Sequence, residues 1–151
     1  MDKTTNITPT EYADYLGEKY NKTISKGHKK TNAQYFSPVE VARYMASLIN
    51  KNADHNVKIL DPGSGSGVLS CALCEELCNL GVRSIELDLY EIDKNIFPYL
   101  ENSMEYLERY ITEKDVNIKI NIINKDFILD NAVALINPDW SMDNQTFMLY
   151  L

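Results

Sequence analysis

The feature that most constrains this chain is a regular switching between two apolar periods from Val57 to Phe127. "VKILD" is a short apolar run ending at Asp61, and "VLSCALCEELCNLG" is a helical stretch stopped by Gly81. "IELDLYE" alternates Ile85, Leu87 and Leu89 with polar neighbours and ends at Glu91. From Ile96 to Ile111, Leu100, Met104, Leu107 and Ile111 share one helical face. "NIKINIINKDF" then alternates Ile118, Ile120 and Ile122 before Asp126 and Phe127. A period of two buries one face of a strand, and a period of 3.6 buries one stripe of a helix. The order β-α-β-α-β therefore predicts an α/β fold, the first half of a doubly wound parallel sheet with strands ordered 3-2-1.

Upstream, "TPTE" (Thr8 to Glu11) and "SPVE" (Ser37 to Glu40) both have the form of a helix-capping box with proline at the first helical position. Tyr12, Tyr15, Leu16 and Tyr20 follow the first at helical spacing, and Val41, Met45, Leu48 and Ile49 follow the second. Between them lies the one basic patch, Lys19, Lys22, Lys26, His28, Lys29 and Lys30, read as a solvated loop. The expected division is an N-terminal helix and basic loop over 1–36, then a unit over 37–151 that holds the strand–helix alternation. A length of 151 residues suits one domain with a core of its own, and 44% hydrophobic and 25% charged residues suit a soluble globular chain. The net charge of −7 excludes attraction to nucleic acid by the overall field. No apolar stretch is long enough to span a bilayer and Met1 to Thr10 is polar, so no membrane partner is expected and the location expected is cytoplasmic.

"DPGSGSG" (Asp61 to Gly67) joins the first strand to its helix. The dinucleotide pattern G-x-G-x-x-G fails in its third glycine, and the phosphate-binding loop fails for want of a lysine. Gly63, Gly65 and Gly67 still allow a tight turn and close approach of a ligand at a helix N-terminus. An acid opening the loop repels a pyrophosphate but suits a ligand with an ammonium group. Ligands of such sheets bind beyond the carboxyl ends of the strands. There Glu91 could accept from both hydroxyls of a ribose, and Asp126 from an adenine amino group with Phe127 beside the ring. An amino-acid end, a ribose and an adenine together describe S-adenosylmethionine. Asp88 and Asp93 read instead as solvated strand-end carboxylates.

With these residues assembled, "QYFSPVEVARYMASLI", "ILDPGSGSGVL", "LYEID" and "KDF" resemble the N-terminal, cofactor-binding part of the N6-adenine-specific DNA methyltransferases of restriction–modification systems, over roughly Gly27 to Phe127. The resemblance implies a Rossmann-like class I methyltransferase fold preceded by N-terminal helices, S-adenosylmethionine as cofactor and DNA as partner. It also implies cofactor contacts from Phe36, Ser37 and Pro38, which match an F-x-T-P segment with serine for threonine. Asp61, Gly63, Gly65 and Gly67 match the cofactor loop, Glu91 the ribose acid, and Asp126 with Phe127 the adenine site. A methyltransferase of the same fold acting on RNA, protein or a small molecule, and a cofactor-binding remnant without turnover, are the alternatives.

In that family an Asn-Pro-Pro-aromatic tetrapeptide after the fourth strand receives a flipped adenine and localises the amino lone pair for attack on the methyl group. "NPDW" offers Asn137, Pro138 and Trp140 as candidates, with Asp139 where the family has proline. A strand ending at Ile136 would leave too few residues after Phe127 for a parallel crossover of about a dozen or more. Ile128, Leu129, Ala132, Val133 and Ile136 fit a short helix, which makes "NPDW" its terminating turn. The chain stops in the apolar run "TFMLYL". The fourth strand, the tetrapeptide and a recognition domain are therefore expected to be missing, as in the front piece of a longer enzyme. Such a piece, with the edge of its first strand open, is expected to self-associate and to be catalytically silent alone. Cys71, Cys74 and Cys78 lie on one helical face opposite Leu69, Leu73, Leu77 and Leu80, and read as packing beneath another helix, with no metal site.

Overall fold

The structure is a computed structural model that describes residues 7–24, 37–49, 55–132 and 146–148. The expected parallel order is present. Strands β1 (Asn56–Asp61), β2 (Ser84–Tyr90) and β3 (Asn117–Ile123) pair in parallel, and β4 (Thr146–Met148) adds to the other side of β1. The sheet order is β3-β2-β1-β4. The expectation that the fourth strand is missing is thus corrected: part of the terminal apolar run supplies it. Thr146, Phe147 and Met148 lie in register with Lys58, Ile59 and Leu60, so backbone groups of β1 on that side are paired. The open edge from which self-association was expected is covered there. The segment between Phe127 and Thr146 also gives the crossover length that a strand ending at Ile136 lacked.

Register and alternation divide the sheet into two faces. Val57, Ile85 and Ile118 are aligned across it, as are Ile59, Leu87 and Ile120. The first and second members of these rows are buried, and the β3 members pack partly buried against the same core. On the opposite face Lys58, Glu86 and Lys119 are in register, with Nζ–Oε1 distances of 3.6 and 3.2 Å to the central glutamate. These pairs are too exposed to add much stability. A one-residue slip would bring this charged row into the core and turn the leucines outward, so alternation specifies the register.

Helices α3 (Val68–Asn79) and α4 (Phe97–Thr112) follow β1 and β2. The four residues expected on the inner face of α4, Leu100, Met104, Leu107 and Ile111, are all buried. Helices α1 (Pro9–Thr23) and α2 (Val39–Ser47) pack against α3, and α1 also packs against α4. Cys71 and Cys74 are buried in that packing and Cys78 is half-buried. Burial holds all three thiols above their ordinary range, which disfavours the reactive thiolate form. Among the described residues no cluster of His, Cys, Asp and Glu is arranged to hold a metal ion. A short helix, α5 (Phe127–Asp130), follows β3.

The two capping motifs behave differently. Thr8 caps α1 as expected: its hydroxyl accepts from Glu11 N, and its own N–H donates to Glu11 Oε2 at 2.9 Å. Glu75 on α3 takes the next free donor, Thr10 N, at 2.8 Å. Ser37 does not cap α2. The cap position is Pro38, whose carbonyl accepts from Ala42, and no side-chain cap bond forms. The helix begins one residue later than the motif suggests, which removes the serine hydroxyl from the first turn. The buried face of α2 is Ala42 and Ala46, while Val41 and Leu48 are exposed, because small residues let the helix approach its neighbour. Thr8→Ala is expected to lower stability by about 1 kcal/mol, and Ser37→Ala to leave it unchanged by that route. Thermal melting of both variants checks this.

Candidate cofactor site

The strand periods that build the core also deliver the site. Asp61 continues the buried row Val57–Ile59, and Glu91 continues the buried row Ile85–Leu87–Leu89. Both carboxylates therefore arrive at the carboxyl ends of adjacent strands on the inner face, with little water around them. Asp61 is 2% exposed and Glu91 8%.

The turn from Asp61 to Gly67 is held at both ends. Asp61 Oδ1 accepts from Gly63 N at 3.2 Å, and its Oδ2 accepts from Ser70 Oγ at 2.6 Å. Ser64 N donates to Tyr90 O at 2.9 Å, and Gly65 N donates to Glu91 Oε2 at 2.8 Å. The loop after β1 is thus bonded directly to the end of β2. Its glycines have separate tasks. Gly65 has φ +56° and Gly67 has φ +89°, where a side chain is strained. A Cβ at Gly67 would lie 2.5 Å from Met104 Cε, so this glycine serves contact with α4, whereas a Cβ at Gly63 would meet open space.

Burial raises the pKa of Asp61 to about 6, against the lowering effect of its bonds to Ser70 and Gly63, and the nearby Glu91 raises it further. Burial likewise raises Glu91, opposed by the N–H groups of Asp93 and Gly65. Buried negative charge that is short of counter-charge favours a cationic ligand. Ser66 Oγ is buried in the same loop without a hydrogen-bond partner among the described residues.

Asp126 accepts from Leu129 N at 3.0 Å through Oδ1, capping α5, and Phe127 packs edge-on against Tyr90 at 5.1 Å. Asn124 Nδ2 donates to Glu91 O at 2.8 Å, joining the end of β3 to the end of β2. Pro38 is exposed and Ser37 half-buried at the start of α2. Phe36 lies outside the described residues, as do Asn137, Pro138 and Trp140, which precede β4 in the chain. Lys26, His28, Lys29 and Lys30 of the basic patch also lie outside them.

The expectation for Asp93 is corrected. It is 5% exposed and accepts from the Tyr20 hydroxyl and, at 2.9 Å, from Asn95 N, while its own N–H donates to Glu91 Oε1 at 2.8 Å. It is a buried part of the turn that carries Glu91. Asp88 is half-buried and accepts from Asn121 Nδ2 at 2.6 Å. Ile92, immediately after Glu91, is 59% exposed. Alternation signals it only by exception, since Ile92 follows the polar-face row of β2.

A parallel sheet ordered 3-2-1-4, with a glycine loop after β1 and a buried acid at the end of β2, defines the cofactor half of a class I methyltransferase fold. The sequence model described as N-6 DNA Methylase matches residues 11–147, and the chain belongs to that family. It is 31% identical over 122 residues to the type II methyltransferase M.BsuBI of Bacillus subtilis, covering 80% of this chain and 23% of that protein. It is 35% identical over 130 residues to M.HincII of Haemophilus influenzae, covering 84% and 23%. The chain thus spans about a quarter of the length of these relatives. Among solved structures, a protein from Listeria monocytogenes described as a putative class I S-adenosylmethionine-dependent methyltransferase shares the fold. Its TM-score is 0.55 at 20% identity, over 82% of this chain and 35% of that one.

Proposed function

We propose that this chain supplies the S-adenosylmethionine-binding part of a DNA methyltransferase acting on the amino group of adenine. The observation that carries the reading is the pair of buried carboxylates, Asp61 and Glu91, joined through the glycine loop in a member of this family. S-adenosylmethionine fits the donor set: it is cationic at both the sulfonium and the ammonium, and the space beside Gly63 is open. Asp61 and the loop would hold the amino-acid end, and Phe36, Ser37 and Pro38, which match the F-x-T-P segment in sequence, are proposed as further cofactor contacts. Glu91 would accept from the ribose hydroxyls, using lone pairs left free by its backbone N–H donors. Ile92 and Phe127 would flank the adenine, and Asp126 would accept from its amino group.

The cofactor supplies an electrophilic methyl on sulfur. The protein's task in this portion is to hold it rigidly at the strand ends and exclude water from the charged groups. DNA is the proposed partner and the cytoplasm the proposed location. Among the described residues no helix is long and apolar enough to cross a membrane. Glu91→Ala is expected to weaken cofactor binding by about 1–2 kcal/mol, the value of hydrogen bonds to a charged group. Titration calorimetry on the folded variant checks this, and unchanged affinity would remove Glu91 from the site.

A further inference from the structure

We propose that Tyr20, on the N-terminal helix α1, is a positioning residue for the ribose-binding carboxylate of Glu91, acting through Asp93. The inference rests on the cofactor site proposed above and adds to it a helix that contributes none of the assigned contacts.

The connection is a short chain of bonds between buried groups. The Tyr20 ring is almost fully buried and packs edge-on against Tyr99 of α4, with centroids 5.5 Å apart and planes at 62°. That contact fixes where its hydroxyl points. The hydroxyl donates to Asp93 Oδ2, while Asp93 Oδ1 accepts from Asn95 N and closes a local turn. The turn in its closed form aims Asp93 N at Glu91 Oε1, 2.8 Å away. Gly65 N holds the other oxygen of Glu91, also at 2.8 Å. The Glu91 carboxylate is therefore held by the N–H groups of Gly65 and Asp93, with that of Ile92 also favouring its charged form, and the Asp93 group belongs to the turn that Tyr20 holds.

Electrostatics makes this hold necessary. Asp93 and Glu91 are two carboxylates two residues apart, both buried, and the charge of Asp93 disfavours that of Glu91. A buried carboxylate that loses a donor moves toward water if its backbone allows. Loss of the Tyr20 hydroxyl would thus open the 91–95 turn, withdraw Asp93 N from Glu91 and leave the ribose acid free to rotate. Seating of α1 and recognition of the ribose hydroxyls then share one free energy, and each strengthens the other.

A purely structural tyrosine would behave differently, since loosening α1 lowers affinity for any ligand of the site without regard to its hydroxyls. The test compares binding of S-adenosylhomocysteine and its 2′,3′-dideoxy analogue to the wild-type chain, Tyr20→Phe, Asp93→Ala and Asp93→Asn by titration calorimetry. The wild type is expected to prefer the hydroxylated ligand by about tenfold. Tyr20→Phe and Asp93→Ala should lose most of that preference through weaker binding of the hydroxylated ligand alone. Asp93→Asn, which can still hydrogen-bond to the tyrosine, should retain it. Equal losses for both ligands, or a preference unchanged in Tyr20→Phe, would overturn the positioning role while leaving the cofactor site standing. If Tyr20→Phe does not fold, Asp93→Ala decides, because it leaves the Tyr20–Tyr99 packing in place. Absence of any binding by the folded wild type would instead sink the cofactor reading, and the role of Tyr20 with it.

Discussion

Gly67→Ala is expected to lower the free energy of unfolding by about 2–4 kcal/mol, from two separate sources. The left-handed conformation at φ +89° disfavours a side chain by about 1–2 kcal/mol. The new methyl would also lie 2.5 Å from Met104 Cε and 3.3 Å from Leu100 Cδ1, on the inner face of α4. Met104 can swing away because the clash is with its flexible end, while Leu100, fully buried, must give by a few tenths of an ångström. Urea denaturation of the two proteins measures the sum. The double variant Gly67→Ala with Met104→Ala separates the sources: relief of the clash should recover part of the loss, and the backbone strain should remain. Gly63→Ala is the control, since its Cβ would meet open space. It should leave stability nearly unchanged while obstructing a ligand that uses that space.

The second large effect is one of pH and concerns Asp61. Burial raises its folded-state pKa from 3.8 to about 6. For an acid, a raised folded pKa means that the folded state keeps its proton where the unfolded state has lost it. Stability contributed by this group is therefore full below pH 4 and declines as pH rises to about 6, by on the order of 3 kcal/mol. Asp61→Asn should remove this decline. The variant should be more stable than the wild type at pH 7, with the slope between pH 4 and 6 flattened. A cationic cofactor reverses the preference, because it favours the ionised carboxylate. Binding near pH 6 should accordingly release a proton from the wild type and none from Asp61→Asn, which should bind more weakly. Calorimetry in two buffers of different ionisation enthalpy reads the proton directly. An aspartate that serves only as a brace for Gly63 and Ser70 would release none.

The two predictions share an origin in how the chain reaches its site. Val57, Ile59 and Asp61 stand on one strand face, as do Ile85, Leu87, Leu89 and Glu91, because side chains alternate. The hydrophobic row that fixes the register also takes the acid at its end into the interior. An acid so placed is costly in the empty protein and useful to a cation, which is why stability and binding are expected to diverge at Asp61.

Much of this was legible in the sequence because it depends on local periodicity. The apolar run of β1, alternation in β2 and β3, the apolar stripe Leu100–Met104–Leu107–Ile111 and the box at Thr8 are short-range patterns, and each lies where its spacing places it. The glycine loop and the acids Asp61 and Glu91 were legible for the same reason, since a strand's end is set by its own residues. What failed depended on contacts distant in sequence. "SPVE" has the composition of a cap, but α2 begins at Val39 and turns its alanines inward. "TFMLYL" has the local look of an apolar run on which the chain breaks off before its fourth strand, yet part of it is that strand and pairs with β1, ninety or so residues earlier, whose backbone groups needed partners. Asp93 has the local appearance of a solvated acid. Only the fold brings Tyr20 across from α1 to meet it, and no spacing rule spans that separation. The sequence by itself determined the order of elements from β1 to β3, the face that β2 and β3 bury and the acids at the strand ends, because these follow from side-chain period and turn chemistry. The tertiary structure alone decided which of those acids are dry, what holds them and which edge is closed, because burial and hydrogen-bond partners belong to chain segments that meet only after folding.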